Sequence, residues 1–421
     1  MKNDVPIIFN MDENNVNEKI IEYLPVKSKE KELFGEVFTP SNVINDMFDK
    51  LDEIYKKNNN KSIFTEKTFK WLDPASGVGN YSMILFNRLM KGLELVIKNK
   101  NERQKHIIKN MIYMIEINNT NVKITKKIFG TNCNISCSDF IQQSSKWIKD
   151  FNNNSTFNII MGNPPYNSIA VGNKGEKNLD DKFIISSLNY LKDNDSYLTF
   201  ITKTHWRAFT SGIPELLSNK TIEYIKTYDF NNNPFKENVL TNFFIIRNKV
   251  TNTKTIFEFN NITNKGKFLN NMSIYFLYRQ YLIYLKKLTL KYGCLENITR
   301  QKKENGCEYL LIKHSTPEVL ITKTAPLNDK YYIISNPNSL MKFFFNSNIY
   351  KDMRQIGRFT GFTTSKDIFY DIPNFNNITN KNEEKDIKSK LLILNSKIVL
   401  LNNKTNKKIS NTNNKTRKKK N

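Results

Sequence analysis

Between a short apolar run and an amphipathic stretch of helical length, the chain reads Asp73-Pro74-Ala75-Ser76-Gly77-Val78-Gly79-Asn80. The flanking segments, Phe69–Leu72 and Tyr81–Lys98, predict a strand, a glycine-bearing turn and a helix. This geometry lets the backbone approach a nucleotide-like ligand closely. A dinucleotide fold would have a third glycine where Ser82 stands. A carboxylate at Asp73 would repel a pyrophosphate but could hold an ammonium group, so an amino-acid-bearing cofactor is favoured.

The same alternation of apolar runs and helical stretches continues to about residue 250. We expect further strands at Met111–Ile115, Asn134–Cys137, Phe157–Met161, Tyr197–Thr202, Thr221–Tyr228 and Asn242–Arg247. We expect helices at Ser41–Lys56, with Ser41 as the N-cap, and at Asn119–Phe129 and Asp180–Leu191. Repeated βαβ units form a parallel sheet that binds ligands at the carboxyl ends of its strands. The predicted fold class is α/β: a Rossmann-like sheet with helices on both faces, plus a second, basic domain of mixed α/β structure.

Composition divides the chain into four segments. We expect a flexible arm at 1–34, an α/β domain at 35–250, a basic domain at 251–401 and a disordered Asn/Lys-rich tail at 402–421. The chain has 65 basic and 40 acidic residues, for a net charge of +25. Residues 251–421 contain 31 of the basic and 12 of the acidic residues, so this part carries most of the net charge. This distribution indicates an enzyme core joined to a module that binds a polyanion. The codon bias of an AT-rich genome would also raise the lysine content.

Cysteine usage and hydropathy exclude several classes of protein. Four cysteines in 421 residues are too few for a disulfide framework, and they have neither zinc-site spacing nor nearby histidines. We expect reduced thiols and no metal. The most apolar stretch, Ile274–Leu290, is interrupted by charged residues, so no membrane segment is expected. The predicted location is the cytoplasm, with the nucleus or a viral factory as alternatives for a eukaryotic or viral source.

Three acidic residues follow successive predicted strands: Asp73, Glu116 and Asp139. Glu116 could accept hydrogen bonds from a ribose diol. Asp139 could accept from an adenine amino group, with Phe140 against the ring. A helix N-cap or a surface acid explains any one of the three equally well. Their common position at strand ends favours a nucleoside-bearing cofactor.

The fourth predicted strand runs into the sequence Asn163-Pro164-Pro165-Tyr166. Two prolines remove two backbone donors, which leaves carbonyl groups able to accept hydrogen bonds from a ligand. Asn163 offers a side-chain carbonyl and Tyr166 an aromatic face, so a planar base bearing an amino group fits between them. A tight turn without function is the alternative. Its place at a strand end, opposite the glycine loop, argues against that alternative.

Residues 35–250 resemble the amino-group DNA methyltransferases that use S-adenosylmethionine, and specifically the adenine-N6 enzymes whose recognition domain follows the catalytic domain. The matching segments occur in the family's order: Gly35–Pro40, Asp73–Gly79, Glu116, Asp139, Asn163–Tyr166, Asp181–Phe183, Tyr197–Trp206 and Phe235–Arg247. The resemblance implies that Asn163, Pro164, Pro165 and Tyr166 are catalytic. It implies cofactor contacts from Phe38, Thr39, Pro40, Asp73, Pro74, Ala75, Gly77, Gly79, Glu116, Ile117, Asp139, Phe140 and Asn163. Asn118 stands where the family often has Asp.

The resemblance implies methyl transfer from S-adenosylmethionine to the N6 amino group of an adenine flipped out of duplex DNA. Asn163 and the Pro164 carbonyl would hold the amino group while Tyr166 stacks on the base. Such a reaction needs no metal and no covalent intermediate. Double-stranded DNA is the expected partner and a monomer the expected state. A separate restriction endonuclease stays open as a second partner.

The basic domain contains a segment, Arg354–Lys366, that combines cations, hydroxyls, glycines and aromatics. We expect Arg354, Arg358 and Lys366 to contact DNA, although an ordinary loop explains the composition equally well. The run Lys415–Lys420 fits a polyanion-binding arm, a nuclear address or a solvated tail.

Other functions fit parts of the sequence. Methyltransferases of protein glutamine or rRNA guanine also carry an Asn-Pro-Pro-aromatic turn, but they usually lack the upstream Phe-Thr-Pro segment and a basic C-terminal domain. Cytosine-N4 methylation could use the same site. A catalytically silent nucleic-acid-binding subunit should have lost Asp73, the glycines or Asn163, and all are present. A fused restriction–modification polypeptide is disfavoured because the 34 residues before Gly35 are too few for a nuclease.

Overall fold

The chain folds into two compact units in a computed structural model. The first unit comprises residues 1–205, 216–237 and 241–258, and the second comprises 206–215, 238–240 and 259–421. The structure describes residues 6–10, 39–167, 178–208, 211–228, 234, 241–259, 262–266, 280–295, 307–313, 319–323, 331–356 and 366–396. Most of the expected arm and all of the expected tail lie outside these ranges. The described part of the arm is packed, because Ile8 in the turn Ile7–Asn10 is fully buried in the first core.

Eight strands of the large sheet belong to the first unit: β1 Trp71–Asp73, β2 Ile112–Glu116, β3 Asn134–Cys137, β4 Ile159–Gly162, β5 Tyr197–Lys203, β6 Thr221–Tyr228, β7 Thr241–Arg247 and β8 Thr255–Phe259. Their order is β3-β2-β1-β4-β5-β7-β6-β8. The parallel arrangement predicted from the sequence is confirmed for β1 to β5. β7 is antiparallel to both β5 and β6. Only 12 residues, 229–240, connect β6 to β7, which is the lower limit for the crossover that a parallel pair needs.

The helices of the first unit are Ser41–Asn59, Asn80–Gly92, Lys100–His106, Asn119–Phe129, Ser144–Asp150 and Leu179–Leu188. A further short helix, Ile213–Leu216, has residues in both units. The prediction that Ser41 is an N-cap is wrong, because Ser41 is already helical and Pro40 takes the cap position. The Pro40 carbonyl accepts from the backbone N–H groups of Val43 and Ile44.

The apolar face expected for the first helix is buried in the core of the first unit. Phe48 packs edge-on against Trp71 of β1, with ring centroids 6.2 Å apart. Each such side chain contributes about 1.5–3 kcal/mol when it leaves water. This packing fixes the start of the helix, and therefore Thr39 and Pro40, relative to the sheet.

The second unit is mixed α/β, as predicted. Its strands are β9 Ile262–Gly266, β10 Tyr309–Lys313, β11 Val319–Thr322 and β12 Tyr331–Ser335, of which the last three form an antiparallel sheet in the order β11-β10-β12. Its helices are Gln280–Tyr292, Ser339–Asn346, Asn348–Ile356 and 381–396. Within the described ranges, none of the helices has the length and apolar character needed to cross a membrane.

Candidate active site

Three residues expected to be functional lie at one edge of the large sheet. Asp73 ends β1, Glu116 ends β2, and Asn163 directly follows β4. Because these strands are parallel, their carboxyl ends meet at the same edge. The loop after β1 is bound to β2 there, since the Ser76 N–H donates to the Ile115 carbonyl at 3.0 Å.

The Glu116 carboxylate organises the glycine loop. It accepts from the backbone N–H groups of Gly77 at 2.7 Å and Asn118 at 2.6 Å. Gly77 has a φ of +56°, a conformation that glycine adopts without steric cost. Asn118, which stands where the family often has Asp, caps the helix Asn119–Phe129. Its side chain accepts from the Thr120 N–H at 2.9 Å. An Asn and an Asp can both supply that acceptor.

Asp73 is a buried carboxyl group with an unsatisfied oxygen. It is 1% exposed, and its Oδ1 accepts from the Ala75 N–H at 3.2 Å. Within the described part of the chain, Oδ2 has no hydrogen-bond partner. Burial raises the pKa of Asp73 to about 8; the Ala75 bond opposes this rise and the charge of Glu116 adds to it. A buried carboxylate of this kind fits a ligand that brings a cation to Oδ2.

Gly162 leaves room for the Asp73 carboxylate. A Cβ placed on Gly162 would lie 2.8 Å from Asp73 Oδ1, closer than real contacts allow. Its φ of +150° is also one that other residues rarely adopt.

The Gly162→Ala variant is expected to lower the free energy of unfolding of the first unit by about 2–3 kcal/mol, because strain and overpacking act together. Urea denaturation followed by circular dichroism measures the loss. Gly77→Ala is the matched control: its φ is positive, but no heavy atom of the described residues lies within 4 Å of the added Cβ. It should lose only about 1 kcal/mol. Equal losses in the two variants would show that the contact with Asp73 is not the cause.

The side-chain amide of Asn163 is held by Thr39. Asn163 Nδ2 donates to Thr39 Oγ1 at 3.0 Å, and Thr39 is 3% exposed. Pro164 is buried, Pro165 is partly exposed, and Tyr166 is 9% exposed. The structure thus brings together Asn163 and the segment before the first helix, 124 residues away. Phe38, the remaining residue expected in that segment, lies outside the described residues.

Asp139 and Phe140 have structural partners of their own. Asp139 Oδ1 accepts from the N–H groups of Ile141 at 2.8 Å and Gln142 at 2.9 Å in a turn that precedes the helix Ser144–Asp150, so Asp139 is not the N-cap of that helix. The Phe140 ring is 2% exposed and is stacked on Trp147 and Phe183, among other aromatic rings. Contact of either residue with an adenine stays a prediction. Ile117, the other apolar residue expected near the cofactor, is 60% exposed.

The residues expected to contact DNA are placed differently. Arg354 is 2% exposed in the second unit, with its guanidinium carbon 6.0 Å from the centre of the Tyr350 ring. So deeply buried a guanidinium supports packing and is not presented at the surface. Arg358 and the side chain of Lys366 lie outside the described residues.

Lys203 joins the turn after β4 to the next helix, a role that sequence reasoning missed. Its Nζ donates to Asn167 Oδ1 at 3.0 Å and to Asn178 Oδ1 at 2.9 Å. The same Nζ lies 3.7 Å from Oδ1 of Asp180, which is fully buried. Burial raises the pKa of Asp180 to about 7, and the Lys203 charge opposes that rise. A lysine that ends an otherwise uncharged, buried strand was the signal in the sequence.

A second pair lies just beyond the same strand. His205 Nδ1 and Asp181 Oδ2 are 2.6 Å apart, and both belong to segments singled out by the resemblance. No local pattern links the two residues, because 24 positions separate them.

Comparison with known proteins agrees with this fold. Against the type IIL restriction-modification enzyme MmeI, solved in complex with DNA, the identity is 14% and the TM-score 0.50, over 90% of this chain and 69% of that one. A second similar structure is that of a protein from Vibrio vulnificus YJ016, described as a modification subunit of a type I restriction enzyme. Its sequence identity to this chain is 16% and its TM-score is 0.41, over 57% of this chain. The chain thus matches half the length of that subunit. At 14% identity the likeness to MmeI shows the fold alone. No curated protein matches the sequence.

The model of the N-6 DNA methylase family matches residues 14–211, which include every expected site residue of the first unit. This match confirms the resemblance to adenine-N6 DNA methyltransferases. Residues 14–211 are therefore similar to the N-6 DNA methylase family.

Proposed function

We propose that the protein is a DNA methyltransferase that transfers a methyl group from S-adenosylmethionine to the N6 amino group of adenine. The observation that carries the proposal is the position of the Asn163 amide, held by Thr39 directly after Gly162, the last residue of β4, which itself lies against the buried Asp73 carboxyl group. The family match to residues 14–211 supports it.

The cofactor assignment rests on the edge formed by β1 and β2. The unsatisfied Asp73 Oδ2 fits the ammonium group of the methionine moiety, and the positive-φ glycines of the loop allow close approach of the backbone. The Glu116 carboxylate, at the end of β2, would accept from the ribose. When bound, S-adenosylmethionine supplies an electrophilic methyl group.

The substrate assignment rests on Asn163. Because Nδ2 donates to Thr39, Oδ1 is the acceptor end of the amide that can face an amino group. Asn163 Oδ1 and the Pro164 carbonyl would accept the two amino hydrogens, and Tyr166 would stack on the base. The two acceptors hold the nitrogen in line for attack, so positioning supplies the catalysis. The amino group can lose its proton after the transfer.

The remaining partners follow from charge and analogy. The strongly basic back half suits a polyanion, and MmeI was solved with DNA. Double-stranded DNA is therefore the proposed substrate. A monomeric state, a separate restriction endonuclease and a cytoplasmic location stay predictions.

The test is methyl transfer from labelled S-adenosylmethionine into unmethylated duplex DNA, followed by digestion and mass identification of the nucleosides. N6-methyladenine is the expected product. N4-methylcytosine would overturn the base assignment, and labelling of RNA or protein alone would overturn the substrate class.

Binding of the cofactor is expected to release about one proton per site at pH 6–7. With a pKa near 8, the Asp73 carboxyl group is mostly protonated below pH 8, and a cation at Oδ2 favours the carboxylate. Affinity should therefore rise as the pH increases toward about 8 and fall above it, where the α-amino group of the cofactor loses its proton. Titration calorimetry in two buffers of different ionisation enthalpy counts the protons. Asp73→Asn is the control, and an unchanged proton count in that variant would contradict the assignment.

A further inference from the structure

The N-terminal turn, residues 6–10, is fixed to two helices of the first unit. The Phe9 ring is stacked on Phe86, in the helix that follows β1, with ring centroids 6.2 Å apart. The Phe9 carbonyl accepts from Nε2 of Gln104, in the next helix, at 3.4 Å. Ile8, the residue before Phe9, is fully buried in the core of the first unit. The turn is therefore an integral part of this core.

The same turn packs against a third helix, Asn119–Phe129. Gly130, which directly follows that helix, leaves room for Pro6, because a Cβ placed on Gly130 would lie 2.9 Å from Pro6 Cγ. The φ of Gly130 is +90°, a conformation that favours glycine. The N-terminal turn thus lies against the carboxyl end of the third helix.

The helix Asn119–Phe129 also contacts the glycine loop that follows β1. Phe129 is 1% exposed, and a Cβ placed on Gly79 would lie 3.0 Å from Phe129 Cε2. Thr125, one helical turn earlier, is fully buried and donates from Oγ1 to the Gly77 carbonyl at 3.5 Å. The helix thus contacts both positive-φ glycines of the loop. Side chains packed so closely transmit a shift of one element to the next.

We propose that the N-terminal turn is a positioning element for the glycine loop, acting through the helix Asn119–Phe129, and that it thereby raises the affinity for S-adenosylmethionine. The inference rests on the proposed function, in which the loop approaches the cofactor. The turn precedes residue 14, where the family match begins. Because Thr39 holds the Asn163 amide separately, the effect belongs to cofactor binding and not to transfer from the bound cofactor.

The Ile8→Ala variant is expected to raise the dissociation constant of S-adenosylmethionine about fivefold, within the range found when packed residues along a coupling network are changed. Its kcat at saturating cofactor should stay within about twofold of wild type. Titration calorimetry and single-turnover transfer measure the two quantities. Ile8→Val removes less of the side chain and should act in the same direction with a smaller effect, so the test does not depend on the folding of one variant.

Amide exchange in the cofactor-free protein gives a second measurement that needs no activity. The Gly77 N–H donates to the Glu116 carboxylate, so its exchange reports the position of the loop. Mass spectrometry should detect faster exchange in the peptide that contains Gly77 and Gly79 when Ile8 is truncated. Phe129→Leu should have the same effect, and its effect on cofactor affinity should not add to that of Ile8→Ala, because both changes act through one helix.

Ile63→Ala is the matched control. Ile63 is likewise fully buried, in a 3₁₀ turn of the same core. That turn lies at the other end of the helix after β1, where Gly92 is close to the Phe64 carbonyl. The control should lose a similar amount of stability in urea. Its affinity for S-adenosylmethionine should stay within about twofold of wild type, and its glycine loop should exchange as in wild type.

The outcomes separate this inference from the proposed function. A wild-type protein that binds no S-adenosylmethionine overturns the proposed function, and amide exchange then still tests the positioning of the loop. A wild type that binds the cofactor, with an unchanged dissociation constant in Ile8→Ala, overturns the inference alone. Equal losses of affinity in Ile8→Ala and Ile63→Ala would also overturn it, because general loss of stability would then be the cause.

Discussion

The Asn163→Ala variant is expected to methylate DNA about 10²–10³-fold more slowly than the wild type, the usual effect of removing one preorganised polar group from a reacting centre. Its affinity for S-adenosylmethionine should change little, because the Asp73 carboxyl group and the glycine loop are left in place. The loss should therefore appear in kcat. Single-turnover transfer into duplex DNA at saturating cofactor measures it.

Asn167→Ala is the matched control in the same turn. Asn167 is exposed, and its side chain accepts from Lys203 Nζ. Its loss removes one hydrogen bond outside the proposed site, so activity should stay within about threefold of wild type. An Asn163→Ala variant that keeps more than a tenth of wild-type activity would exclude Asn163 as the residue that holds the amino group.

The Lys203→Met variant is expected to destabilise the first unit by about 3–5 kcal/mol above pH 7, the typical cost of removing one partner of a buried ion pair. It leaves the fully buried Asp180 carboxylate without its cation, and it also removes the donor that Asn167 and Asn178 share. Urea denaturation at several pH values measures the loss.

The sign of the pH dependence follows from Asp180. Its pKa is already raised to about 7 in the folded protein, against about 4 in an unfolded chain, so stability is lost as the pH rises between these values. Removing Lys203 raises the folded pKa further and extends the loss to higher pH. The effect of the substitution should therefore be largest above pH 7 and smaller at pH 5. The double variant Lys203→Met/Asp180→Asn should recover most of the stability, and equal losses at pH 5 and pH 8 would exclude the carboxylate charge as the cause.

The carboxyl edge of β1, β2 and β4 was predictable because its signals are local. A short apolar run followed by glycines or prolines marks a strand end, and the parallel sheet then brings the ends together. The Asn163–Thr39 bond was not predictable, since nothing local links residues so far apart. The short helices Lys100–His106 and Ser144–Asp150 were missed because their sequences show no apolar periodicity: the first has no apolar residue and the second has only Trp147 and Ile148.

Arg354 shows how composition can mislead. The composition of the segment Arg354–Lys366 favoured a loop that contacts DNA. Arg354 instead belongs to a helix formed by residues 348–356. Ile349, Tyr350 and Met353 of that helix are fully buried, and Arg354 lies on the same face by helical spacing. The spacing of those apolar residues was the signal in the sequence that predicts a buried helix face. For the placement of Arg354 it is a better guide than the composition of the segment.

The antiparallel insertion of β7 between β5 and β6 has a consequence for synthesis on the ribosome. β6 is made before the strand that joins it to the rest of the sheet, and most of its side chains are buried in the finished fold. The chain from residue 229 to Arg247 takes about 1–4 s to translate at ordinary rates. During that interval the nascent chain carries an apolar strand without its β7 partner, and β5 presents an unpaired edge, which is the state that chaperones recognise and that seeds aggregation.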